Sequence, residues 1–268
     1  MAMPAPKLDK LPGTRPAGAR DEHESAARVR EMFTRIAPRY DFLNHFLSFS
    51  LDHLWRRRAA RRFAGVLRRP DARILDLCCG TGDLAFAFAK AREADGDAVA
   101  AEKSKRRAPV LGADFAEAML IRARDKAIRT HRAVAFAAAD ALQLPFPDAS
   151  FDLVATAFGF RNLANYEGGL REIARVLKPG GQAGILEFSE PSEGLMAGLF
   201  RFYFQRILPR IGGAISGNRE AYSYLPGSVA KFPSPEELSA LMGEAGFVDI
   251  QIAYWNFRSV ILHSAVRH

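Results

Sequence analysis

The fold of this chain is decided by one stretch, residues 74–83, which reads ILDLCCGTGD. Its apolar start, Ile74–Leu77, is typical of a buried strand, and the LAFAFA sequence at 84–89 is typical of a following helix. The turn between them contains Gly80 and Gly82, a residue type that lets a backbone turn sharply and approach a ligand closely. Strand, glycine turn and helix open a nucleotide-binding βαβ unit, although the full three-glycine pattern is absent. The turn alone is equally compatible with an ordinary strand-to-helix loop.

Two acidic residues strengthen the ligand-binding interpretation. Asp76 lies at the end of the first predicted strand, and Asp114 ends the next one, residues 110–114. A carboxylate in the second position can accept hydrogen bonds from both ribose hydroxyls of an adenosine. Asp76 has a competing interpretation, in which it only hydrogen-bonds the glycine loop, and we favour that role over direct catalysis.

Strands and helices alternate along the rest of the chain. Further strands are expected at 133–139, 151–157, 182–188, 248–253 and 259–266, and helices at 82–92, 116–129, 170–177, 195–208 and 235–245. This alternation predicts an α/β fold with a seven-stranded, mostly parallel sheet and helices on both faces. The link over residues 254–258 is too short for a parallel crossover, so the last strand is expected to be antiparallel.

The region before the first strand is expected to be a helical addition to one domain that spans 25–268. Residues 1–24 are rich in proline, glycine, alanine and charge, which predicts a disordered tail. Apolar spacing predicts a helix at 25–37, ended by Pro38, and two more helices at 40–49 and 51–63. Residues 25–65 would then form a lid or substrate-binding addition, and 93–109 a surface insertion.

Composition limits the functional classes. The chain has 268 residues and is 49% hydrophobic, yet it contains no apolar run long enough to span a membrane and no signal-peptide pattern. A cytoplasmic protein is therefore expected. The two cysteines, Cys78 and Cys79, are adjacent and cannot build a disulfide framework. The histidines, His45 and His53 included, show no metal-ligand spacing, so no metal is expected.

The net charge of +8 is concentrated in clusters of basic residues. The clusters lie at 56–58 with 61–62, at 68–69 and at 103–107. Such clusters attract the phosphates of nucleic acid or of an anionic membrane surface. No aromatic-interleaved nucleic-acid motif accompanies them, so nucleic acid is not an expected partner. The competing interpretation is a solvated helix face and a loop.

Several motifs together resemble a known family. DLCCGTGD at 76–83, the pairs Ala113-Asp114 and Asp140-Ala141, and LKPGG at 177–181 resemble the Rossmann-like class I S-adenosylmethionine-dependent methyltransferases. Four further stretches narrow the resemblance to the ubiquinone/menaquinone biosynthesis C-methyltransferases. They are MFTRIAPRYDFLN at 32–44, FGFRN at 158–162, LEFSEP at 186–191 and YSYLPGSV at 222–229. The resemblance runs from about residue 29 to the C-terminus.

The resemblance implies S-adenosyl-L-methionine as the cofactor. The cofactor-binding residues that it implies are Asp76, Gly80, Thr81, Gly82, Asp114, Asp140 and Ala141. The glycine loop and Thr81 would hold the methionine part, Asp114 the ribose, and Asp140 with Ala141 the adenine. The family often has a serine directly before its Phe-Gly-x-Arg-Asn motif, whereas this chain has Ala157 and lacks that hydroxyl.

The resemblance also implies methyl transfer to a ring carbon of a polyprenyl quinol. Arg161 and Asn162 follow the fourth strand, at the sheet edge where open α/β folds bind ligands, and with Tyr40 they are the candidate catalytic residues. Arg161 is expected to stabilise the quinolate, with a water as proton acceptor, because arginine is a poor base. In the alternative, Arg161 pairs with a carboxylate, Asn162 closes a turn and Tyr40 only begins a helix.

The expected reaction converts demethylmenaquinol to menaquinol. Three alternatives stay open: methylation of 2-methoxy-6-polyprenyl-1,4-benzoquinol in ubiquinone biosynthesis, methylation of another phenolic ring, and a non-catalytic cofactor-binding subunit of a quinone-synthesis assembly.

Residues 196–211 contain an apolar stripe flanked by arginines, which predicts weak peripheral contact with an anionic membrane at the inner face of the cell membrane. A packed core helix would show the same pattern. A homodimer is also left open.

Overall fold

A computed structural model of the chain describes residues 13–16, 18–93, 107–189, 198, 202–207 and 219–268. Within these residues seven strands form one sheet, in the order β3-β2-β1-β4-β5-β7-β6. The strands are β1 Ile74–Leu77, β2 Val110–Asp114, β3 Val134–Ala138, β4 Phe151–Ala157, β5 Leu177–Phe188, β6 Phe247–Trp255 and β7 Val260–Arg267. Only β7 runs against the others, because it pairs antiparallel with both β5 and β6. The predicted sheet, its strand number and its antiparallel last strand are confirmed.

Helices cover the sheet on both faces. They are α1 Glu22–Ile36, α2 Tyr40–Leu47, α3 Leu51–Arg62, α4 Ala64–Leu67, α5 Asp83–Glu93, α6 Glu117–Thr130, α7 Tyr166–Val176, α8 Arg219–Ala230 and α9 Pro235–Glu244. The core on one face lies under α7 and α9, and the core on the other lies under α3, α4 and α5. Because both faces are covered, every residue of β1 is buried. Of the described helices, none is both long and apolar enough to cross a bilayer.

The order of the strands determines where a ligand can bind. The chain passes from β1 to β2 and β3 on one side of the sheet, and returns to place β4 and β5 on the other side of β1. Ligands in open α/β sheets bind outside the carboxyl ends of the strands at such a reversal. The N-terminal helices α1 and α2 pack over this edge, where Ile36, Leu43 and Leu47 share a core cluster with Ala116 and Met119.

Four details differ from the sequence predictions. β5 begins at Leu177 and not at residue 182, because Leu177 pairs with Phe151 across a bulge, so the LKPGG motif extends into the strand. α1 begins at Glu22, capped by the Asp21 side chain, inside the predicted tail. Thr14 is buried and its N–H donates to the Leu163 carbonyl at 2.8 Å, so this part of the tail is packed. α8 was not predicted, and it contains a proline within the helix.

Two predictions fall wholly or partly outside the described residues. These are the insertion at 93–109, described only at its ends, and the helix at 195–208. Of the latter, the described segment Tyr203–Ile207 has π-helical hydrogen bonding. The Tyr203 hydroxyl donates to the Leu47 carbonyl at 2.8 Å, which joins this segment to α2.

Candidate active site

A cavity lies at the carboxyl edge of β1, β2 and β4, with an empty volume of about 920 Å³ when its open mouth is included. The predicted site residues that line it are Tyr40, Asp76, Gly80, Thr81, Asp114, Asp140, Ala141 and Asn162. Gly82 and Arg161 are not among the lining residues. The structure therefore brings together eight of the predicted residues, and the other two are next in sequence to residues that line the cavity.

The glycine loop needs its glycines for conformation and for space. Gly80 has a φ of +54° and Gly82 a φ of +86°, in the left-handed region that side chains disfavour. A Cβ at Gly82 would lie 2.8 Å from the Phe136 ring, which leaves no room for it. A Cβ at Gly80 would lie 3.8 Å from the Tyr40 ring, so Tyr40 sits directly over the loop. The loop thus forms a cradle that backbone atoms line.

Asp76 connects the loop to α5 and keeps one oxygen free. Its Oδ2 accepts a hydrogen bond from the Ala85 N–H at 2.8 Å, in the first turn of α5. Its Oδ1 is buried and has no hydrogen-bond partner among the described residues. Burial raises the pKa of Asp76 well above its ordinary value. A cationic ligand group, such as an amino-acid ammonium, would favour the ionised form of Asp76 and give its buried Oδ1 a hydrogen-bond partner.

Asp114 and Asp140 line the cavity, and both also organise the backbone. Asp114 accepts the Gly80 N–H at 2.8 Å and the Ala116 N–H at 2.9 Å, and burial raises its pKa. Asp140 accepts the Leu142 N–H at 2.9 Å. A carboxylate has lone pairs for about four hydrogen bonds, so Asp114 keeps capacity for the ribose hydroxyls.

Helix α2, part of the predicted lid, is joined to the glycine loop by hydrogen bonds and ion pairs. Thr81 donates its hydroxyl to Asp41 Oδ1 at 2.5 Å. Lys126 of α6 lies 2.7 Å from Asp41 and 2.8 Å from Asp83 at the start of α5. Burial alone would raise the pKa of Asp83, but Arg56 and Lys126 lower it overall, so this carboxylate is ionised at neutral pH. α2, the loop and the start of α5 therefore form one charged assembly.

Arg56 is a site residue that the sequence interpretation missed. It was counted in a surface cluster, yet its side chain is only 8% exposed and lines the cavity. Its guanidinium donates to the buried Asp52, four residues earlier on α3, and lies 3.6 Å from Asp83. The sequence did contain an indication of this burial. Asp52 and Arg56 are spaced four residues apart, as in a helical ion pair, and lie beside Trp55 on the apolar side of α3.

Arg161 is held inside the protein by a carboxylate that the sequence interpretation did not assign. Its Nη1 lies 2.8 Å from Glu187 Oε2, and its backbone N–H donates to Glu187 Oε1 at 3.0 Å. Glu187 is fully buried. Burial alone would lower the pKa of Arg161, but the charge of Glu187 raises it overall. The structure thus contains the carboxylate pairing that was the alternative interpretation, and it leaves the Nε of Arg161 without a partner.

Asn162 and Tyr40 face the cavity itself. Asn162 lies in the 3-10 turn Phe160–Asn162, and its Oδ1 accepts from the Tyr224 hydroxyl at 3.2 Å, which leaves the amide hydrogens for a ligand. Tyr224 is in turn hydrogen-bonded to Thr14 at 2.7 Å. Burial raises the pKa of Tyr40, so at neutral pH its phenol is protonated and can donate a hydrogen bond.

A cluster of potential metal ligands lies beside the lid. Ligand atoms of His45, Asp52 and His53 lie within 4.8 Å of one another. The Asp52 carboxylate, however, already accepts from His45 Nδ1 at 2.8 Å, from Ser48 at 2.8 Å and from Arg56. An arginine on the same oxygen as the histidine disfavours a cation there. This geometry fits an ion-pair network better than a metal site.

Comparisons with known proteins give the family of this chain. The model of the ubiE/COQ5 methyltransferase family matches residues 21–267. A demethylmenaquinone methyltransferase from Thermus thermophilus is 52% identical over 219 residues, which are 81% of this chain and 91% of the relative. A demethylmenaquinone methyltransferase from Deinococcus radiodurans is 47% identical over 230 residues, which are 85% of this chain and 88% of the relative.

Solved structures share the fold. A SAM-dependent methyltransferase from Thermotoga maritima aligns with a TM-score of 0.57, covering 89% of this chain and 99% of its own. Its sequence identity is 18%, so this likeness concerns the fold alone.

Proposed function

The chain belongs to the ubiE/COQ5 methyltransferase family, and from that premise we propose that it methylates demethylmenaquinol to menaquinol, using S-adenosylmethionine. The names of the relatives from Thermus and Deinococcus support this acceptor. The observation that carries the proposal is the cavity itself, which is lined by the glycine loop and Asp114 together with Tyr40 and Asn162. The family model and the two relatives confirm the family resemblance stated from the motifs and the expected methyltransferase.

The cofactor side of the cavity fits S-adenosylmethionine. The unpaired Oδ1 of Asp76 suits the ammonium, and the backbone of Gly80, which lines the cavity, can be approached closely by a ligand. Asp114 would hold the ribose, and Asp140 with Ala141 the adenine. When bound, the cofactor supplies an electrophilic methyl group on a sulfonium.

The acceptor side fits a quinol whose hydroxyl loses its proton. That loss moves charge onto the neighbouring ring carbon and makes it nucleophilic. Tyr40, protonated at neutral pH, and the amide of Asn162 can donate hydrogen bonds to the resulting oxyanion. Arg161 adds positive charge from behind the wall, although Glu187 balances part of it. None of these three side chains is a base, so in this proposal a water takes the hydroxyl proton. After the methyl group bonds to the ring carbon, that carbon loses its own hydrogen as a proton to solvent, which restores the aromatic ring, and the oxygen regains a proton.

An exposed aromatic surface next to the lid supports contact with a membrane. Four exposed phenylalanines form what we call the phenylalanine surface: Phe42 (60% exposed), Phe46 (50%), Phe49 (75%) and Phe202 (59%). Phe42 and Phe46 stack with ring centroids 5.9 Å apart. Phe49 contacts the ring of Tyr203, whose hydroxyl binds the end of α2. A polyprenyl quinol resides in a bilayer, and aromatic side chains beside basic ones bind the headgroup boundary.

The experiment for the reaction is product analysis by mass spectrometry. The purified protein is incubated with S-adenosylmethionine and either demethylmenaquinol or 2-methoxy-6-polyprenyl-1,4-benzoquinol. The proposal expects demethylmenaquinol to gain one methyl group, and the variant Asp114→Ala to lose most of that product. Methylation of the benzoquinol alone would favour the ubiquinone alternative. Cofactor binding without methylation of either quinol would favour the non-catalytic subunit or another phenolic acceptor.

The membrane part has a separate experiment. Wild type is expected to co-sediment with anionic vesicles at low salt and less at high salt, because charge attraction is screened. The double variant Phe42→Asp/Phe46→Asp should lose this binding, whereas Ile128→Asp, an exposed apolar residue on α6, should keep it. No binding of wild type at low salt would refute membrane contact, and unchanged binding of the double variant would place the contact on another surface.

A further inference from the structure

We infer that Arg56 binds the α-carboxylate of the cofactor's amino-acid part. This inference rests on the proposed function in one respect, that the ligand is S-adenosylmethionine. Neither the motifs nor the comparisons assign Arg56 a role. It comes from an N-terminal helix, α3, and not from the strand ends and following loops that carry the candidate cofactor-binding residues.

The ionisable residues that line the cavity are mostly acidic. The acidic residues Asp76, Asp83, Asp114 and Asp140 line the cavity, and Arg56 is the one basic residue among the described lining residues. A free amino-acid group carries both an ammonium and a carboxylate. The acidic residues suit the ammonium, but the carboxylate would be repelled unless a positive charge lies beside it. Arg56 is the residue that can supply that charge.

The position of Arg56 matches the methionine end of the cavity. Its Nη2 lies 3.6 Å from Asp83 Oδ2, at the start of α5, directly after the glycine loop that is expected to hold the methionine part. Its Cζ lies 5.5 Å from the centre of the Phe158 ring, at the end of β4. The guanidinium therefore lies between the carboxyl ends of β1 and β4.

The hydrogen bonding of Arg56 leaves it able to take a carboxylate. Its Nη1 donates to Asp52, which fixes the side chain in a buried position. The contact with Asp83, at 3.6 Å, is too long for a hydrogen bond. Since a guanidinium has five N–H donors in a planar fork, its other edge can bind a carboxylate through two parallel bonds. Asp52 and Asp83 thus hold the Arg56 side chain in place, and a ligand carboxylate can accept hydrogen bonds from its remaining donors.

The test compares two ligands on two proteins by isothermal titration calorimetry. S-adenosylhomocysteine has the carboxylate, and its decarboxylated analogue lacks only that group. Arg56→Ala is expected to bind S-adenosylhomocysteine about 10- to 100-fold more weakly, the loss of a hydrogen bond between charged groups, and to bind the analogue within about threefold of wild type. Arg57→Ala, an exposed arginine one position along α3, is the matched control and should leave both affinities unchanged.

Each outcome decides the inference. If Arg56→Ala weakens both ligands equally, or neither, Arg56 does not contact the carboxylate and the inference is wrong. If Arg56→Ala does not fold, Arg56→Lys keeps the charge but not the fork, and it must still lose affinity for S-adenosylhomocysteine selectively. Wild type that binds both ligands equally also overturns the inference, while the proposed function stands. Wild type that binds neither ligand overturns the proposed function itself.

Discussion

The buried pair of Arg161 and Glu187 allows a prediction that separates a structural role from a catalytic one. Glu187 accepts the Arg161 N–H at 3.0 Å, the guanidinium at 2.8 Å and the Phe188 N–H at 3.2 Å, and it has no exposed surface. Arg161 is 6% exposed and also donates to the Phe158 carbonyl at 2.5 Å. Removing either side chain alone therefore leaves the other charge buried without its partner.

The magnitudes follow from that burial. Glu187→Met and Arg161→Met are each expected to lower the free energy of unfolding by about 3–5 kcal/mol, because each leaves an uncompensated buried charge. The double variant Arg161→Met/Glu187→Met removes both charges and should lose only about 1–2 kcal/mol, mainly for the backbone N–H groups of residues 161 and 188, which lose their acceptor. The two single effects are thus expected to be far from additive.

Urea unfolding of wild type, the two single variants and the double variant measures these changes in the free energy of unfolding. Turnover of the double variant measures the effect on catalysis. If the single effects simply add in the double variant, the two charges do not compensate each other and the reasoning from the buried pair is refuted. If Arg161 also stabilises the quinolate, the double variant should bind S-adenosylhomocysteine like wild type but turn over roughly 100-fold more slowly. Turnover near wild type in that folded variant would restrict Arg161 to structure.

Three further predictions concern the cofactor loop and the lid. Asp114→Ala should weaken S-adenosylhomocysteine binding in calorimetry by about 1.5–3 kcal/mol, and equal affinity would remove Asp114 from the ribose site. Gly82→Val should abolish that binding, since its Cβ would lie 2.8 Å from Phe136; retained binding would show that the ring can move away. The hydrogen bond to Asp52 raises the pKa of His45, so its stabilisation is complete below about pH 6.5 and is lost as pH rises through the raised pKa. His45→Gln should therefore destabilise the protein by about 1 kcal/mol at pH 6 and by less at pH 9 in urea unfolding, and an equal loss at both pH values would contradict the shift.

The parts of the fold that follow local rules could be predicted from the sequence. β1, the glycine loop and α5 follow from an apolar run, two glycines and an alanine-rich helix within residues 74–93. The antiparallel β7 follows from a link too short for a crossover. These features depend on neighbours in the chain, which is why pattern and spacing were sufficient to place them.

The parts of the fold that depend on contacts between residues far apart in the chain could not be predicted from the sequence. The LKPGG motif has the composition of a turn, yet pairing of Leu177 with Phe151 extends β5 into it. Arg56 lies in a run of arginines typical of a solvated face, and only folding shows that its side of α3 is covered. Thr14 is packed because Tyr224, far along the chain, provides its hydrogen-bond partner.

The central claim is that this cavity transfers a methyl group to a ring carbon, and isotopic labelling tests it most directly. The protein is incubated with demethylmenaquinol and S-adenosylmethionine that carries a ¹³C-labelled methyl group, and the product is analysed by NMR. We expect one labelled methyl group bonded to a carbon of the quinol ring, with most of that product lost in Asp114→Ala. A label found on a hydroxyl oxygen, or no label on the quinol while the cofactor binds, would contradict it.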